Sequence, residues 1–415
     1  MGQRFVFSFP ALFLFAMSAA GADWPGWRGP HGDGRSDEAG IPVKWSKTEN
    51  IAWKVPIPGT GHSSPVIWGD QVFVTSCIEE EQKRMLYCFD RKTGEKKWEK
   101  VVLKAKLENK HKLNSFASST PATDGKQIWV SFLDVDKALL VCYDFDGKEV
   151  WRKEPGKFES KHGFCSPPIL YKDLVILNGD HDGDGYLVAL DKATGEEKWR
   201  AERPNKTRSY CPPLLIEAAG RKQLVFSGSK CVAGYNPDTG EQIWIVDGPT
   251  EQFVASLVFT KDVIFLTYGF PKLGVMGIKP DGKGNVTDTH VLYNIENGGG
   301  YVPSPIAQGD YCFVVRDEGV AACYEAKSGE RQWNQRLGKH HSASPVSAEG
   351  RLYFIDDDGR TWVVKATDKF EVLARNDLGE ECYASPAISH GQLFIRGLHS
   401  MYCIGKQEAK RDAKP

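Results

Sequence analysis

The chain lacks both an excess of positive charge and the common nucleotide-binding motifs. Its 53 Lys and Arg residues are balanced by 54 Asp and Glu residues, which gives a formal net charge of −1. A balanced surface has no basic field to attract a polyanion, so we expect no nucleic-acid partner. No Ser/His/Asp, P-loop or dinucleotide fingerprint stands in a supporting strand-to-helix context. The sequence therefore offers no motif for nucleotide binding or for serine-type hydrolysis.

Long apolar runs are also missing, except at the N-terminus. Arg4 precedes an apolar run over residues 5–17, and a small-residue site over residues 20–22 stands before Asp23. This pattern is typical of a cleavable secretory signal peptide over residues 1–22, with an uncleaved membrane anchor as the alternative. No cysteine lies near that site, so a lipid anchor is not indicated. We expect a periplasmic or secreted monomer with no other membrane span.

The chain is rich in an eleven-residue phrase that ends in Trp. In each copy an Asp, Asn or Glu precedes a Gly, which predicts a tight hairpin turn, because the polar side chain accepts bonds from turn amides and the Gly takes a positive φ. We expect each Trp to fill space beside the next sheet. Repetition at intervals of about 40 to 50 residues is typical of propellers. The copies cover residues 88–98, 189–199, 234–244 and 323–333, with degenerate copies at 142–151, 278–293 and 364–373.

A short Ser-Pro or similar step stands upstream of each phrase and leads into β-rich residues. Each unit then follows the order strand, turn, strand, loop, strand, turn, strand, which predicts a four-stranded antiparallel blade. Eight such steps predict an all-β fold, an eight-bladed β-propeller. The steps are Ser64-Pro65, Thr120-Pro121, Ser166-Pro167, Cys211-Pro212, Ala255-Ser256, Ser304-Pro305, Ser344-Pro345 and Ser385-Pro386.

The two ends of the repeat region are complementary. The last unit stops at Cys403-Ile404 after three strands, whereas residues 50–57 form a strand with no partners before it. We expect this N-terminal strand to complete the C-terminal blade, because closing the ring removes the exposed sheet edges. The sequence thus predicts one propeller domain over residues 50–405. A Gly/Pro/Trp-rich leader over 23–49 would pack on the ring, and a charged tail over 406–415 would be frayed.

The ten cysteines include no adjacent pair and no Cys-x-x-Cys-His motif, so covalently attached haem is not expected. Two pairs, Cys77 with Cys88 and Cys312 with Cys323, are each separated by 11 positions across a predicted hairpin. They are candidate cross-strand disulfides in an oxidising compartment. Small, buried free thiols are the alternative for the four cysteines that share the repeat position of Ala189, namely Cys88, Cys142, Cys323 and Cys403.

Residues that can change charge or stack on a ligand stand a few positions upstream of the Ser-Pro steps. Loops that enter the innermost strands crowd around the channel of a propeller, so we expect these side chains to surround one end of it. They would either bind a ligand in a funnel or plug a narrowing channel, and we assign no catalytic residue among them. The candidates are His62, His162, Arg208, Tyr210, Tyr301, His340, His341 and Tyr383.

A short acidic segment resembles a calcium loop. Asp180, Asp182 and Asp184 alternate with other residues and are followed by Gly185. This spacing of oxygen ligands suits calcium, but the segment lies between two predicted strands and has no flanking helices. An ordinary hairpin turn is the alternative interpretation.

The complete phrase at residues 189–199, Ala-x-Asp-x-x-Thr-Gly-x-x-x-Trp, is similar to the repeat of the pyrroloquinoline-quinone-type propellers. The resemblance covers nearly all of residues 50–405. That family includes quinoprotein alcohol dehydrogenases, which hold the quinone and a calcium ion in the central funnel. It also includes the non-catalytic propeller of the outer-membrane barrel-assembly machinery, which binds protein partners. The phrase marks the scaffold of both groups and does not choose between them.

The resemblance implies an exported, non-catalytic propeller scaffold that binds a protein or a small ligand in cell-envelope assembly and needs no cofactor. The alternative is an alcohol or sugar dehydrogenase that depends on pyrroloquinoline quinone and calcium. The leader segment Trp24-Pro-Gly-Trp-Arg-Gly is loosely similar to the start of those enzymes. However, the chain has no adjacent cysteines to form the ring beside the quinone, and none of its carboxylates matches their catalytic set.

Overall fold

Eight antiparallel sheets form the molecule, as the repeats predict, in a computed structural model that describes residues 22–159 and 161–406. The predicted signal peptide and tail lie almost wholly outside these residues. Each sheet is one blade of an eight-bladed propeller. No helix in the described part of the chain is long and apolar enough to cross a membrane.

The first four blades follow one another along the chain. The strands of blades 1 and 2 are β2 (Val66–Trp68), β3 (Gln71–Ile78), β4 (Lys83–Asp90), β5 (Lys96–Lys104), β6 (Ala122–Thr123), β7 (Gln127–Asp134), β8 (Lys137–Asp144) and β9 (Glu149–Lys157). Those of blades 3 and 4 are β10 (Ile169–Tyr171), β11 (Leu174–Gly179), β12 (Tyr186–Asp191), β13 (Glu197–Glu202), β14 (Leu214–Ala218), β15 (Arg221–Gly228), β16 (Cys231–Tyr235) and β17 (Gln242–Asp247).

The last four blades complete the ring. The strands of blades 5 and 6 are β18 (Val258–Thr260), β19 (Val263–Tyr268), β20 (Gly274–Ile278), β22 (Val291–Glu296), β23 (Ile306–Gln308), β24 (Tyr311–Val315), β25 (Val320–Glu325) and β26 (Arg331–Arg336). Those of blades 7 and 8 are β27 (Val346–Ala348), β28 (Arg351–Ile355), β29 (Arg360–Lys365), β30 (Val372–Asp377), β31 (Ala387–Ser389), β32 (Gln392–Arg396), β33 (Ser400–Ile404) and β1 (Ile51–Pro56).

Blade 4 departs from the predicted four strands. A fifth strand, β21 (Gly284–Asn285), pairs in parallel with β17, and a short helix α1 (Thr287–His290) follows it. Both lie in the long turn that the sequence places after Ile278, so the insertion covers the outer edge of the neighbouring blade. A 3₁₀ turn, Glu79–Glu81, connects β3 to β4.

The ring closes in the predicted way. Strand β1 pairs antiparallel with β33, and Trp53 lies opposite Cys403. Blade 8 therefore takes three strands from the C-terminal end of the repeats and one from the N-terminal end. This pairing hydrogen-bonds the outer edge of β33, which would otherwise be unpaired.

Each terminal Trp joins its blade to the next. Its indole Nε1–H donates a hydrogen bond to a backbone carbonyl in the hairpin turn of the following blade. The pairs are Trp53 with Arg91 at 2.8 Å, Trp98 with Phe145 at 3.1 Å, Trp151 with Lys192 at 2.8 Å, Trp199 with Pro237 at 3.1 Å and Trp333 with Thr367 at 3.0 Å. In blade 5, which lacks a Trp at this position, the hydroxyl of Tyr293 donates to the carbonyl of Ala326 at 2.7 Å.

Trp244 makes the same connection through an intermediary. Its indole Nε1–H donates to Oε1 of Gln223 at 2.7 Å, and Nε2 of Gln223 donates to the carbonyl of Pro280 in blade 5 at 2.9 Å. The amide thus extends the reach of the indole to the next turn. The prediction that the repeated tryptophans are structural residues between blades is confirmed by these contacts.

The Gly of each turn makes room for the Trp of the preceding blade. Gly195 has a φ of +70°, and a Cβ atom there would lie 2.8 Å from the indole of Trp151. Gly94 stands in the same relation to Trp53, also at 2.8 Å. The carboxylate of Asp90 accepts the backbone N–H of Lys92 and of Thr93 at 3.0 and 2.9 Å, which fixes the turn. The Asp, Gly and Trp of the phrase therefore form one contact between neighbouring blades.

The cysteines at the shared repeat position face these tryptophans across the sheet. Cys88 lies opposite Trp98, Cys142 opposite Trp151 and Cys323 opposite Trp333, while Ala189 and Gly234 take the same place opposite Trp199 and Trp244. A small side chain is needed there because the indole covers it. The interpretation as small buried residues is confirmed.

The two predicted disulfides are wrong. Cys77, Cys88, Cys312 and Cys323 form no disulfide. Cys77 lies opposite Arg84, so Cys88 is four positions farther along its strand, about 13 Å away at the rise of a β-strand and too far for a disulfide. Cys312 lies opposite Tyr324, next to Cys323, so the two side chains point to opposite faces of the sheet. The actual hairpin register differs from the one assumed from a separation of 11.

The Ser-Pro steps form a belt of hydrogen bonds around the channel. The backbone N–H of the step residue in one blade donates to the side-chain hydroxyl of the equivalent residue in the next. The pairs are Ser64 with Thr120 at 3.0 Å, and Ser256 with Ser304, Ser304 with Ser344 and Ser344 with Ser385, each at 2.9 Å. These bonds fix the inner ends of the blades and the loops that precede them.

The leader closes the other end of the channel. Trp24 exchanges two backbone hydrogen bonds of 2.9 Å with Ile67, and the carbonyl of Gly34 accepts the N–H of Ser347 at 3.0 Å. Trp27 donates its indole N–H to the hydroxyl of Ser256 at 2.9 Å. Further bonds, from Thr123 to the carbonyl of Pro25, from Arg28 to the carbonyl of Pro305 and from His390 to Glu38, attach the segment to blades 2, 6 and 8.

A comparison of two glycines can distinguish the stability cost of the turn geometry from the contribution of the contact with Trp. Gly195 and Gly220 both have a φ of +70°, but a Cβ atom at Gly220 would meet no atom within 4 Å. We expect Gly220→Ala to lose about 1–2 kcal/mol from the left-handed backbone alone, and Gly195→Ala to lose a further 1–3 kcal/mol or so from overpacking. Urea unfolding of both variants measures the difference. Equal losses would show that the Gly–Trp contact contributes nothing to stability.

Candidate functional site

A cavity of about 520 Å³ lies at the end of the channel where the loops enter the innermost strands. Trp27 of the leader is among its lining residues. The leader packs against the opposite ends of the inner strands, so Trp27 closes the cavity from below. The result is a funnel that opens on one face of the ring.

The funnel gathers most of the side chains that the sequence singled out. Seven of the eight candidates line it, from six different blade junctions or loops: His62, His162, Arg208, Tyr210, Tyr301, His340 and Tyr383. Their binding role stays a prediction. The lining also includes side chains that sequence reasoning missed, among them Trp27, His111, Phe270 and Asp317.

One wall of the funnel is built around Arg208. Its Nη1 forms an ion pair with Oδ1 of Asp182, and its side chain is 12% exposed. Beside it, Nδ1 of His162 and the hydroxyl of Tyr210 are 3.1 Å apart. Burial lowers the pKa of His162, and the positive charge of Arg208 adds to this effect. At neutral pH this wall therefore presents a neutral imidazole, a phenol and a guanidinium that a carboxylate already balances.

A second wall holds two carboxylates that are fully engaged by the protein. Asp317 accepts the backbone N–H of Tyr301 at 2.7 Å and of Val302 at 3.2 Å, while burial raises its pKa. Nδ1 of His340 lies 2.5 Å from Oδ2 of Asp357, which also accepts the hydroxyl of Ser342. These bonds hold the loops in place.

The third wall consists of His62 and Tyr383, whose rings stack with centroids 4.8 Å apart. Burial, together with the charges of Arg396 and Lys110, lowers the pKa of His62 to about 3. Its ring nitrogens form no hydrogen bond with any residue in the described ranges. His62 is therefore a neutral, half-buried imidazole that faces the funnel and has hydrogen-bonding capacity to spare.

His341 does not belong to the funnel. Its side chain is completely buried, and neither ring nitrogen has a hydrogen-bond partner among the described residues. His340, the preceding residue, lines the funnel, whereas the side chain of His341 is buried inside the blades. Burial lowers the pKa of His341 to about 4.

The predicted calcium loop does not converge on one point. Asp180 is buried against Arg203 at 2.9 Å, Asp182 pairs with Arg208, and the exposed Asp184 pairs with Lys206 at 2.7 Å. Each carboxylate is thus neutralised by a different cation. Across residues 22–159 and 161–406, no three His, Cys, Asp or Glu side chains are grouped so that they could hold a metal ion. The geometry supports the hairpin interpretation of this segment.

The lining residues that sequence reasoning missed lie in segments that do not follow the repeat. Trp27 reaches the funnel from the opposite face because the leader is inserted into the channel, and no repeat pattern signals an insertion of that kind. His111 lies in the loop between β5 and β6, which is longer than the corresponding loops between the other blades. The unusual length of that loop was the one available signal.

The family of the chain can be recognised from this scaffold. Residues 38–132, 104–263 and 282–398 match the profile of the family described as outer membrane protein assembly factor BamB. The chain belongs to this family. The match covers most of the propeller.

Curated relatives agree with the family. The outer membrane protein assembly factor BamB of Burkholderia pseudomallei (strain K96243) is 25% identical over 326 residues. That alignment covers 76% of this chain and 65% of the relative, so the chain spans less than two thirds of the relative's own length.

Solved structures share the fold with both groups of propellers. BamB from Moraxella catarrhalis superposes with a TM-score of 0.61 at 12% identity and covers 85% of this chain and 99% of its own. Quinohemoprotein alcohol dehydrogenase from Comamonas testosteroni superposes with a TM-score of 0.66 at 13% identity, over 94% of this chain and 82% of its own. At such identities the superpositions establish the architecture alone.

The buried His341 makes the protein sensitive to acid. Its pKa in the folded state, about 4, lies below the value near 6.5 expected when unfolded, so the unfolded chain takes up the proton first. Stability from this group is complete above pH 6.5 and falls, by up to about 1.4 kcal/mol per pH unit, as the pH drops toward 4. We expect His341→Phe to weaken the pH dependence of the urea midpoint between pH 7 and 5. The control is His31→Gln in the leader, and an unchanged slope in His341→Phe would contradict the assignment.

Proposed function

We propose that this chain is an exported, non-catalytic binding propeller of the cell envelope that holds a segment of a protein partner in its funnel. Membership of the BamB family supports a role in outer membrane protein assembly. The observation that carries the proposal is the state of the charged groups in the funnel. These groups form ion pairs or hydrogen bonds with one another or with the backbone. We interpret them as groups that recognise a ligand and do not act in catalysis.

The engaged groups argue for binding over chemistry. Arg208 is balanced by Asp182, His340 is held by Asp357, and Asp317 is bonded to two backbone amides. A general base must be able to reach the proton it abstracts, and a nucleophile needs a base beside it. The carboxylates and the guanidinium of the funnel are held by these contacts, which suits them to recognising a ligand.

The rim of the funnel supports a protein partner. Large apolar side chains are unusually exposed on the loops of that face, with Phe270 at 50% and Val135 at 58%. Leu113 and Leu273 are also exposed, and both Leu113 and Phe270 line the cavity. Exposed apolar groups that border a cavity are typical of surfaces that bind other proteins.

A quinone-dependent dehydrogenase fits the residues poorly. Calcium needs several free carboxylate or carbonyl oxygens around one point. Of the acidic side chains, Asp317 lines the cavity, and its two oxygens accept backbone N–H groups. No cysteine is adjacent to another in the sequence to form a ring beside the quinone. We therefore derive no reaction through pyrroloquinoline quinone or calcium.

Site-specific crosslinking tests the partner. We expect a benzophenone amino acid in place of Phe270 to crosslink to a defined envelope protein when expressed in the native host. The matched control is the same probe in place of Leu292, which is also exposed, at 37%, but lies on the outer strand of blade 5. Equal crosslinking at both positions, or none at 270, would disprove docking at the funnel.

A reconstitution assay tests the enzymatic alternative. After addition of pyrroloquinoline quinone and calcium to the purified chain, we expect no stoichiometric quinone in the absorption spectrum and no dye-linked oxidation of alcohols or sugars. The physical reason is the lack of free oxygen ligands around the cavity. Calcium-dependent binding of the quinone would refute the non-catalytic assignment.

A further inference from the structure

Arg396 is a buried positive charge without a counter-ion. Its side chain is 1% exposed, and Nη1 donates to the hydroxyl of Ser63 at 2.7 Å and to the carbonyl of Thr75 at 2.6 Å. Nε and Nη2 have no partner within the described residues, and no carboxylate there lies within ion-pair distance. Of the other buried arginines, Arg84, Arg91 and Arg203 are each paired with a carboxylate, whereas Arg28 in the leader donates to backbone carbonyls. An unpaired buried charge is costly, so it calls for a ligand or a function.

This charge lies directly behind the His62 wall of the funnel. A Cβ atom on Gly61 would be 2.5 Å from Nη2 of Arg396, and Nη1 is bonded to Ser63, so the guanidinium packs against the backbone on both sides of His62. Lys110, which forms no ion pair in the described part of the chain, adds a second positive charge near the same imidazole. The wall therefore has a positive potential.

The acidic groups nearby do not cancel this potential. Glu108, which lies on the same loop as Lys110, is paired with Arg84. Glu381 is exposed and accepts the hydroxyl of Tyr383 at 3.2 Å. His62 itself is neutral and has free ring nitrogens, one of which can donate a hydrogen bond to an anion. The wall thus combines a hydrogen-bond donor facing the funnel with the nearby charges of Arg396 and Lys110, neither of which forms an ion pair among the described residues.

Resting on the proposed function, we infer that the His62 wall is an anion site that takes the C-terminal carboxylate of a bound polypeptide. Two observations favour a chain end. Trp27 closes the funnel from below, so an extended chain that enters must end inside it. Tyr383 stacks on His62, and Tyr210 and Tyr301 line the same cavity, so a chain ending in an aromatic residue finds both groups of partners.

Fluorescence anisotropy with a short labelled peptide that ends in Phe tests this site. The full-length chain should bind the free acid about tenfold more tightly than the C-terminal amide, since a charge-assisted hydrogen bond is lost with the amide. His62→Phe keeps the stacking on Tyr383 but removes the donor, and Lys110→Met removes one of the charges. Both variants should reduce the preference for the acid, whereas His31→Gln on the far face should keep it.

Three results would overturn the inference. Equal affinity for acid and amide in the wild type would mean that no carboxylate is recognised. A preference that persists in both His62→Phe and Lys110→Met would place the anion elsewhere. Free 3-phenylpropionate binding as tightly as the peptide would indicate a small-molecule carboxylate site. None of these results alters the crosslinking expected at position 270, so failure of the anion site and failure of partner docking are distinguishable.

Discussion

The contact between a tryptophan and the turn of the next blade is the interaction on which the rest of the molecule depends. A single four-stranded sheet cannot bury both of its faces, so each blade must be held against its neighbours. The indole of Trp151 covers Gly195 and donates to the carbonyl of Lys192, which fixes both the distance and the rotation between two blades. Repeated around the ring, this contact sets the curvature that brings eight sheets into a closed circle.

The curvature also decides where the functional groups lie. The loops before the inner strands meet at the axis because equivalent positions in a ring are related by rotation. The hydroxyl belt through Ser304, Ser344 and Ser385 then holds the base of each loop at a constant height. The side chains of the funnel are therefore positioned by a rigid scaffold, although they come from segments far apart in the chain.

The repeats made the scaffold predictable. The Asp, Gly and Trp of the phrase form the contact between neighbouring blades, and each copy of that contact can be recognised in the sequence. The blade number, the closing strand and the buried tryptophans could therefore all be derived. Periodicity also led to seven of the funnel residues, because it identifies equivalent loop positions. It could not say which way an individual side chain points, so His340 and its neighbour His341 were grouped together although one lies inside the blades.

Features that break the repeat were beyond that reasoning. Trp27 enters the cavity from a non-repeating leader, and the extra strand Gly284–Asn285 comes from an insertion. The paired cysteines failed for a related reason. A separation of 11 residues does not determine hairpin register, and a shift of one position sends Cys312 and Cys323 to opposite faces. The acidic segment was misjudged because its partners are not adjacent in sequence: Asp180, Asp182 and Asp184 each pair with a different cation of residues 203–208.

The pairing of β1 with β33 has a consequence for how the protein is made. A chain emerges from the ribosome with its N-terminus first, so Trp53 is available long before its partner Cys403 has been synthesised. Until β33 has been synthesised, strand β1 has no pairing partner, and the edges of the first and last blades stay unpaired. A chain that stops early exposes these edges permanently. Completion of the ring thus serves as a check on length. Only a chain translated to its final repeat can bury its first strand.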